Sequence, residues 1–167
     1  MKKIVLVALI ALLSFTAFSQ EKSSPTVQTS FLGLSFGDAQ AKVYDKLYSD
    51  GYDIIEGPLN TFIVKSVYFG GSYWSFCSFG FAKESLISFS AFQNFPKDMD
   101  FQVLFDDLLK NLQRKYPMKQ LLFDNSCFYY KDTAGNSISL YHKESSIVLS
   151  YKSCLEEQKK REELDEL

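Results

Sequence analysis

The chain has 167 residues, with 18 Lys and Arg against 20 Asp and Glu, and 16% of it is aromatic. Mild acidity excludes a nucleic-acid binder, because such proteins carry a basic patch or stripe that neutralises phosphates. One histidine and three cysteines at irregular spacing exclude the usual zinc patterns, so neither a metal nor a cofactor is expected.

Lys2 and Lys3 precede an apolar run from Ile4 to Leu13, and Ala17-Phe-Ser19 puts small residues where signal peptidase reads. Residues 1–19 therefore read as a secretory signal, too short to span a bilayer. The expected product is exported, periplasmic or extracellular, with no transmembrane segment after cleavage. Without Lys2 and Lys3 it carries 16 basic and 20 acidic side chains, a net charge of −4. No cysteine adjoins the cleavage point, so no lipid anchor is indicated. Cys77, Cys127 and Cys154 are odd in number, which leaves at least one thiol outside any intrachain disulfide.

Residues 20–30 are polar, hold Pro25 and show no periodicity, which suggests a flexible lead-in. Phe31-Leu-Gly-Leu-Ser-Phe36 reads as a short extended segment. Asp38 is placed to cap a helix from about Ala39 to Ser49 with Val43 and Leu47 inward, and Gly51 supplies its stop. Three strands follow, broken by Gly70-Gly71 and by a turn centred on Lys83. Strict alternation places Phe62, Val64, Tyr68, Cys77, Phe79, Phe81, Ile87, Phe89 and Ala91 on a core face. It places Ile63, Lys65, Val67, Phe69, Trp74, Phe76 and Phe92 on the other, with Lys65 opposite Phe76, Val64 opposite Cys77, Trp74 opposite Phe92 and Cys77 opposite Phe89.

Asp98 and Asp100 then open an amphipathic helix with Phe101, Leu104, Phe105, Leu108, Leu109 and Leu112 at helical spacing, and Tyr116-Pro117 closes it. A second meander comes after it. Its register puts Phe128, Tyr130, Ile138, Leu140, His142, Ile147, Leu149 and Tyr151 on one face, and Tyr129, Tyr141, Val148, Ser150, Lys131 and Lys152 on the other. Residues 154–167 read as a charged helical tail, with Glu156 to Lys160 and Glu157 to Arg161 spaced for ion pairs. The expected class is α+β: one domain over 31–153, built from two helix-plus-antiparallel-meander units, 31–95 and 99–153, with the helices on one face of the sheet.

Chemistry has few carriers. Cys127 or Cys154 with His142 is the one nucleophile arrangement to consider, as a hydrolase-like or thiol enzyme of unrecognised type, but the register puts Cys127 opposite Tyr141 on the other face from His142 and Cys154 at the far end of the meander. Asp98, Asp100, Asp106 and Asp107 are explained by capping and solvation. What stands out is the aromatic outer face of Val67, Phe69, Trp74, Phe76 and Phe92, continued by Tyr129 and Tyr141. So much apolar surface is either covered within the chain, by Phe31–Phe36 or by a bend that buries both faces, or offered to an envelope protein, a peptide or a glycan.

Phe31-Leu-Gly-Leu-Ser-Phe-Gly-Asp38, then Val43-Tyr-Asp-Lys-Leu47 and Gly51-Tyr52, resembles the opening of small exported bacterial domains. These are the SmpA/OmlA (BamE)-like assembly lipoproteins and the β-lactamase-inhibitor-protein-like fold. The signal sequence ending Phe18-Ser-Gln20 is similar to those of Bacteroidetes envelope proteins. The resemblance implies a non-enzymatic, protein-binding role.

Overall fold

The computed structural model describes residues 24–96, 99–121 and 124–155. The signal-like residues 1–19 and the charged tail from Glu156 onward lie outside them, as does Asp98.

A small hairpin opens the fold: β1 (Ser30–Phe31) pairs with β2 (Leu34–Ser35). Helix α1 (Gln40–Ser49) is followed by β3 (Ile54–Gly57), β4 (Thr61–Phe69), β5 (Ser72–Ala82) and β6 (Ser85–Asn94). Helix α2 (Gln102–Lys115) is followed by β7 (Lys119–Leu121), β8 (Asp124–Lys131), β9 (Ser137–Lys143) and β10 (Ser146–Lys152). These eight strands form one antiparallel sheet in the order β3-β4-β5-β6-β10-β9-β8-β7, so the two meanders meet at their last strands. The protein is α+β, as its pattern of elements implies. Among the described residues no helix is long and apolar enough to cross a membrane.

Both helices pack on the same side of the sheet. Tyr44 of α1 meets Phe62 edge-on, and Phe105 of α2 meets Phe128 and His142. Val43, Leu47 and Phe105 join Phe62, Val64, Cys77, Phe79, Phe89, Leu140 and Leu149 in one buried cluster. Asp38 does not cap α1. Its carboxylate accepts from the Ser35 amide at 2.8 Å and pairs with Lys42 at 2.6 Å, while Ala39 occupies the cap position without a side-chain bond. Burial alone would raise the Asp38 pKa, but the Lys42 and Ser35 bonds outweigh it and hold the acid below its ordinary value.

Of the lead-in expected to be flexible, residues 20–23 lie outside the described residues, and residues 25–28 are held by specific contacts. Val27 is buried and its amide donates to Asp132 Oδ2 at 2.9 Å. The Gln28 amide donates to the Tyr116 hydroxyl, and the Tyr130 hydroxyl donates to the Pro25 carbonyl at 2.7 Å. Apolar Val27 and a row of backbone donors and acceptors outweigh the polar composition that surrounds them. Phe31 then stacks on Phe89 (4.5 Å between ring centres, 11° between planes) and touches Phe36, Phe69 and Tyr151.

Cys77 lies at the centre of this core, where burial pushes its thiol up to about 12. The unfolded thiol ionises near 8.5, so the unfolded chain releases this proton first and stability falls as pH rises from about 9 towards 12. Tyr151, raised by burial and then by Tyr116, acts in the same direction at still higher pH. Iodoacetamide at pH 8 should therefore leave Cys77 unmodified in the native protein and label it once urea has unfolded the chain. Labelling of Cys77 at native conditions, read by peptide mass mapping, would contradict this burial.

Candidate functional site

The outer face of the sheet is built by strand register. One row runs Lys65–Phe76–Phe92–Val148–Tyr141–Cys127 across β4, β5, β6, β10, β9 and β8. The next runs Ile63–Ser78–Ser90–Ser150–Ser139–Tyr129, followed by Lys119 of β7. Phe76 and Phe92 stack nearly parallel, with ring centres 4.4 Å apart. Four serines on four neighbouring strands form the second row, and the Ser90 and Ser150 hydroxyls share a 2.8 Å hydrogen bond. The result is an apolar stripe beside a hydroxyl stripe. The Tyr141 phenol sits in the first row with its pKa raised, by burial first and by Cys127 second.

Three residues expected on this face are absent from it. Trp74 is only 3% exposed, Val67 is fully buried, and Phe69 packs on Phe31, Phe89 and Tyr151 on the helix side. Tyr68, expected inside, is 56% exposed and pairs with the exposed Tyr73. The cause is local. Ser66 has a left-handed backbone (φ 56°), and neither it nor Ser75 belongs to the paired ladder, although the residues on both sides keep one register. At this step both strands exchange faces together. The exchange shows in the inward positions, which fall at 62, 64, 67 and the half-buried 69 on β4, and at 74, 77 and 79 on β5. A three-residue gap interrupts the period of two on each strand, and the gaps face one another.

The β5–β6 register also differs from the expected one. Phe76, not Trp74, opposes Phe92, and Cys77 opposes Ala91 rather than Phe89. Lys83 and Glu84 both take positive φ, making a two-residue turn, and a shift at Gly80/Phe81 moves the remaining pairs. A bulge of this kind re-aims side chains beyond it. Phe31–Phe36, the segment considered as cover for the outer face, is on the opposite side.

On the helix side, Trp74 forms part of a cleft of about 490 Å³ between α2 and the Gly70-Gly71 turn, lined also by Phe69, Leu108, Leu112 and Tyr151. Its indole N–H donates to the Phe69 carbonyl at 3.0 Å, so its one polar group is satisfied internally. Cys127 and His142 are on opposite faces: Cys127 opposes Tyr141, whereas His142 lies against Phe101 and Phe105 of α2. None of the three cysteines forms a disulfide. Among the described residues no cluster of His, Cys, Asp and Glu has metal-binding proximity. Phe76, Phe92, Tyr129 and Tyr141 remain together on the outer face, each half-buried. Comparison with protein-family models, with curated proteins and with solved structures finds no match to this chain.

Proposed function

We propose that this is an exported, non-enzymatic binding domain whose partner lies against the outer face of the sheet, with Phe76, Phe92 and Tyr141 at the contact centre. The observation that carries the reading is the apolar stripe itself. Among the described residues, both helices and the N-terminal arm pack on the opposite side, while Phe76, Phe92 and Tyr141 keep half-buried rings on this one. Tyr129, at the end of the serine row, extends this surface towards the sheet edge. The resemblance of residues 31–52 to small exported interaction domains points the same way. We also read 31–95 and 99–153 as two copies of one helix-plus-meander unit joined at β6 and β10.

The test is a comparison of two purified proteins lacking residues 1–19. Wild type and Phe76→Ser/Phe92→Ser are immobilised and exposed to bacterial envelope extract. The variant should lose the retained protein while its unfolding free energy from urea titration falls by no more than about 3 kcal/mol, because the pair lies on a half-buried surface. Equal retention by both proteins would sink the reading.

A further inference from the structure

We infer that the partner is an acidic polypeptide, a deduction that rests on the sheet-face reading above. Among the described residues, every charged side chain that strand register assigns to the outer face is a lysine. Lys65 adjoins Phe76, Lys119 adjoins Tyr129, and Lys143 opposes Ser146 at the end of β9. Lys131 and Lys152 belong to the same face by register.

Of the carboxylates whose side chains are described, Glu56 of β3 opposes Phe62 on the helix side, Asp53 precedes β3 outside the ladder, and the rest belong to helices, turns and loops. Asp45 and Glu84 line a concavity beside Tyr44 and Phe62 on the helix side. Asp38, Asp50, Asp106 and Asp107 belong to the helices and their ends, and Glu144 to a turn. On a chain with more acidic than basic residues, this segregation among the described residues gives the sheet face a charge opposite to that of the molecule as a whole. Such a face steers and orients partners of negative sign.

Three geometric facts select a polypeptide among anionic partners. The Phe76 and Phe92 rings stack on one another, and register places Lys65 and Val148 beside their other faces, so no broad ring plane is left for a sugar to stack on. The apolar stripe is bordered by a row of serines and its rings lie half-buried, so no protruding apolar wedge is offered to a lipid bilayer. Lys65, Lys119 and Lys143 are exposed and lie around the stripe rather than within it. Apolar centre and charged rim match the anatomy of a protein interface.

The probe is a fluorescein-labelled random copolymer of glutamate and tyrosine, titrated with the purified domain and followed by anisotropy. Wild type should bind it, with affinity falling roughly tenfold or more between low and physiological salt as screening shortens the reach of the lysines. Lys65→Glu/Lys119→Glu/Lys143→Glu should weaken binding by about tenfold or more, and a lysine–tyrosine copolymer should not bind. Loss in Phe76→Ser/Phe92→Ser without loss in the lysine variant would overturn the acidic partner and leave the sheet face standing. Undiminished binding by both variants would remove both readings. Absence of binding by wild type at low salt, or tighter binding of heparin or phosphatidylglycerol vesicles than of the copolymer, would also overturn the inference.

Discussion

Replacing Phe31 by alanine should remove roughly 3–5 kcal/mol of folding stability, the usual cost of deleting a buried aromatic ring. Against the 5–15 kcal/mol of a typical domain, that is a large fraction. Phe31 is a two-residue strand's only inward side chain, yet it is fully buried and contacts four rings: Phe36, Phe69, Phe89 and Tyr151. These come from its own hairpin and from β4, β6 and β10, so the ring joins both meanders. No small movement can fill the space it leaves, because Phe89 is itself fixed against Phe79 and Phe69. Urea unfolding followed by the fluorescence of Trp74, the single tryptophan, would measure the loss directly. A shift below about 1 kcal/mol would show that the arm does not form part of the core.

Trp74→Ala and Phe76→Ala make the second large contrast. Two residues apart on one strand, they should have opposite consequences. Trp74→Ala empties the space between α2 and the β4–β5 hairpin and should cost roughly 3–5 kcal/mol, lowering the melting temperature by on the order of 10 °C. Phe76→Ala removes half a stacked pair on the exposed face and should cost roughly 1–2 kcal/mol, with its larger effect on binding. Circular dichroism is the suitable measurement, since the first variant has no tryptophan. The reverse ranking would place Trp74 on the outer face and refute the exchange of faces at Ser66.

The second meander was legible because its alternation is unbroken. Phe128, Tyr130, Ile138, Leu140, Ile147, Leu149 and Tyr151 sit where a period of two puts them, and Cys127 opposes Tyr141 as turn geometry requires. The first hairpin register followed from Gly70-Gly71 for the same reason, with Lys65 opposite Phe76 and Val64 opposite Cys77. Faces failed where registers succeeded. Val64-Lys-Ser-Val67 keeps its pairing partners but reverses its sides, and alternation cannot anticipate a left-handed serine. The β5–β6 register was missed because the two positive-φ residues of that turn are lysine and glutamate, which carry no glycine-like signature. The edge strand β3 escaped notice too, its Ile54 and Ile55 being adjacent rather than alternating. Of the candidate site, Phe76, Phe92, Tyr129 and Tyr141 were recoverable from pattern, whereas Trp74, Val67 and Phe69 were assigned to the wrong side.

The contacts of the N-terminal arm also set an order of events. The Val27 amide and the Pro25 carbonyl find their partners 105 residues later, in Asp132 and Tyr130. Phe31 needs Tyr151, close to the end of the last strand. The first part of the domain to be synthesised is thus the last to be placed. Until β10 pairs with β6, Phe31 and Leu34 have no finished surface to settle on, and such long-range closure slows folding. During that interval the growing chain presents an apolar arm to whatever surrounds it, a natural point for a chaperone to hold.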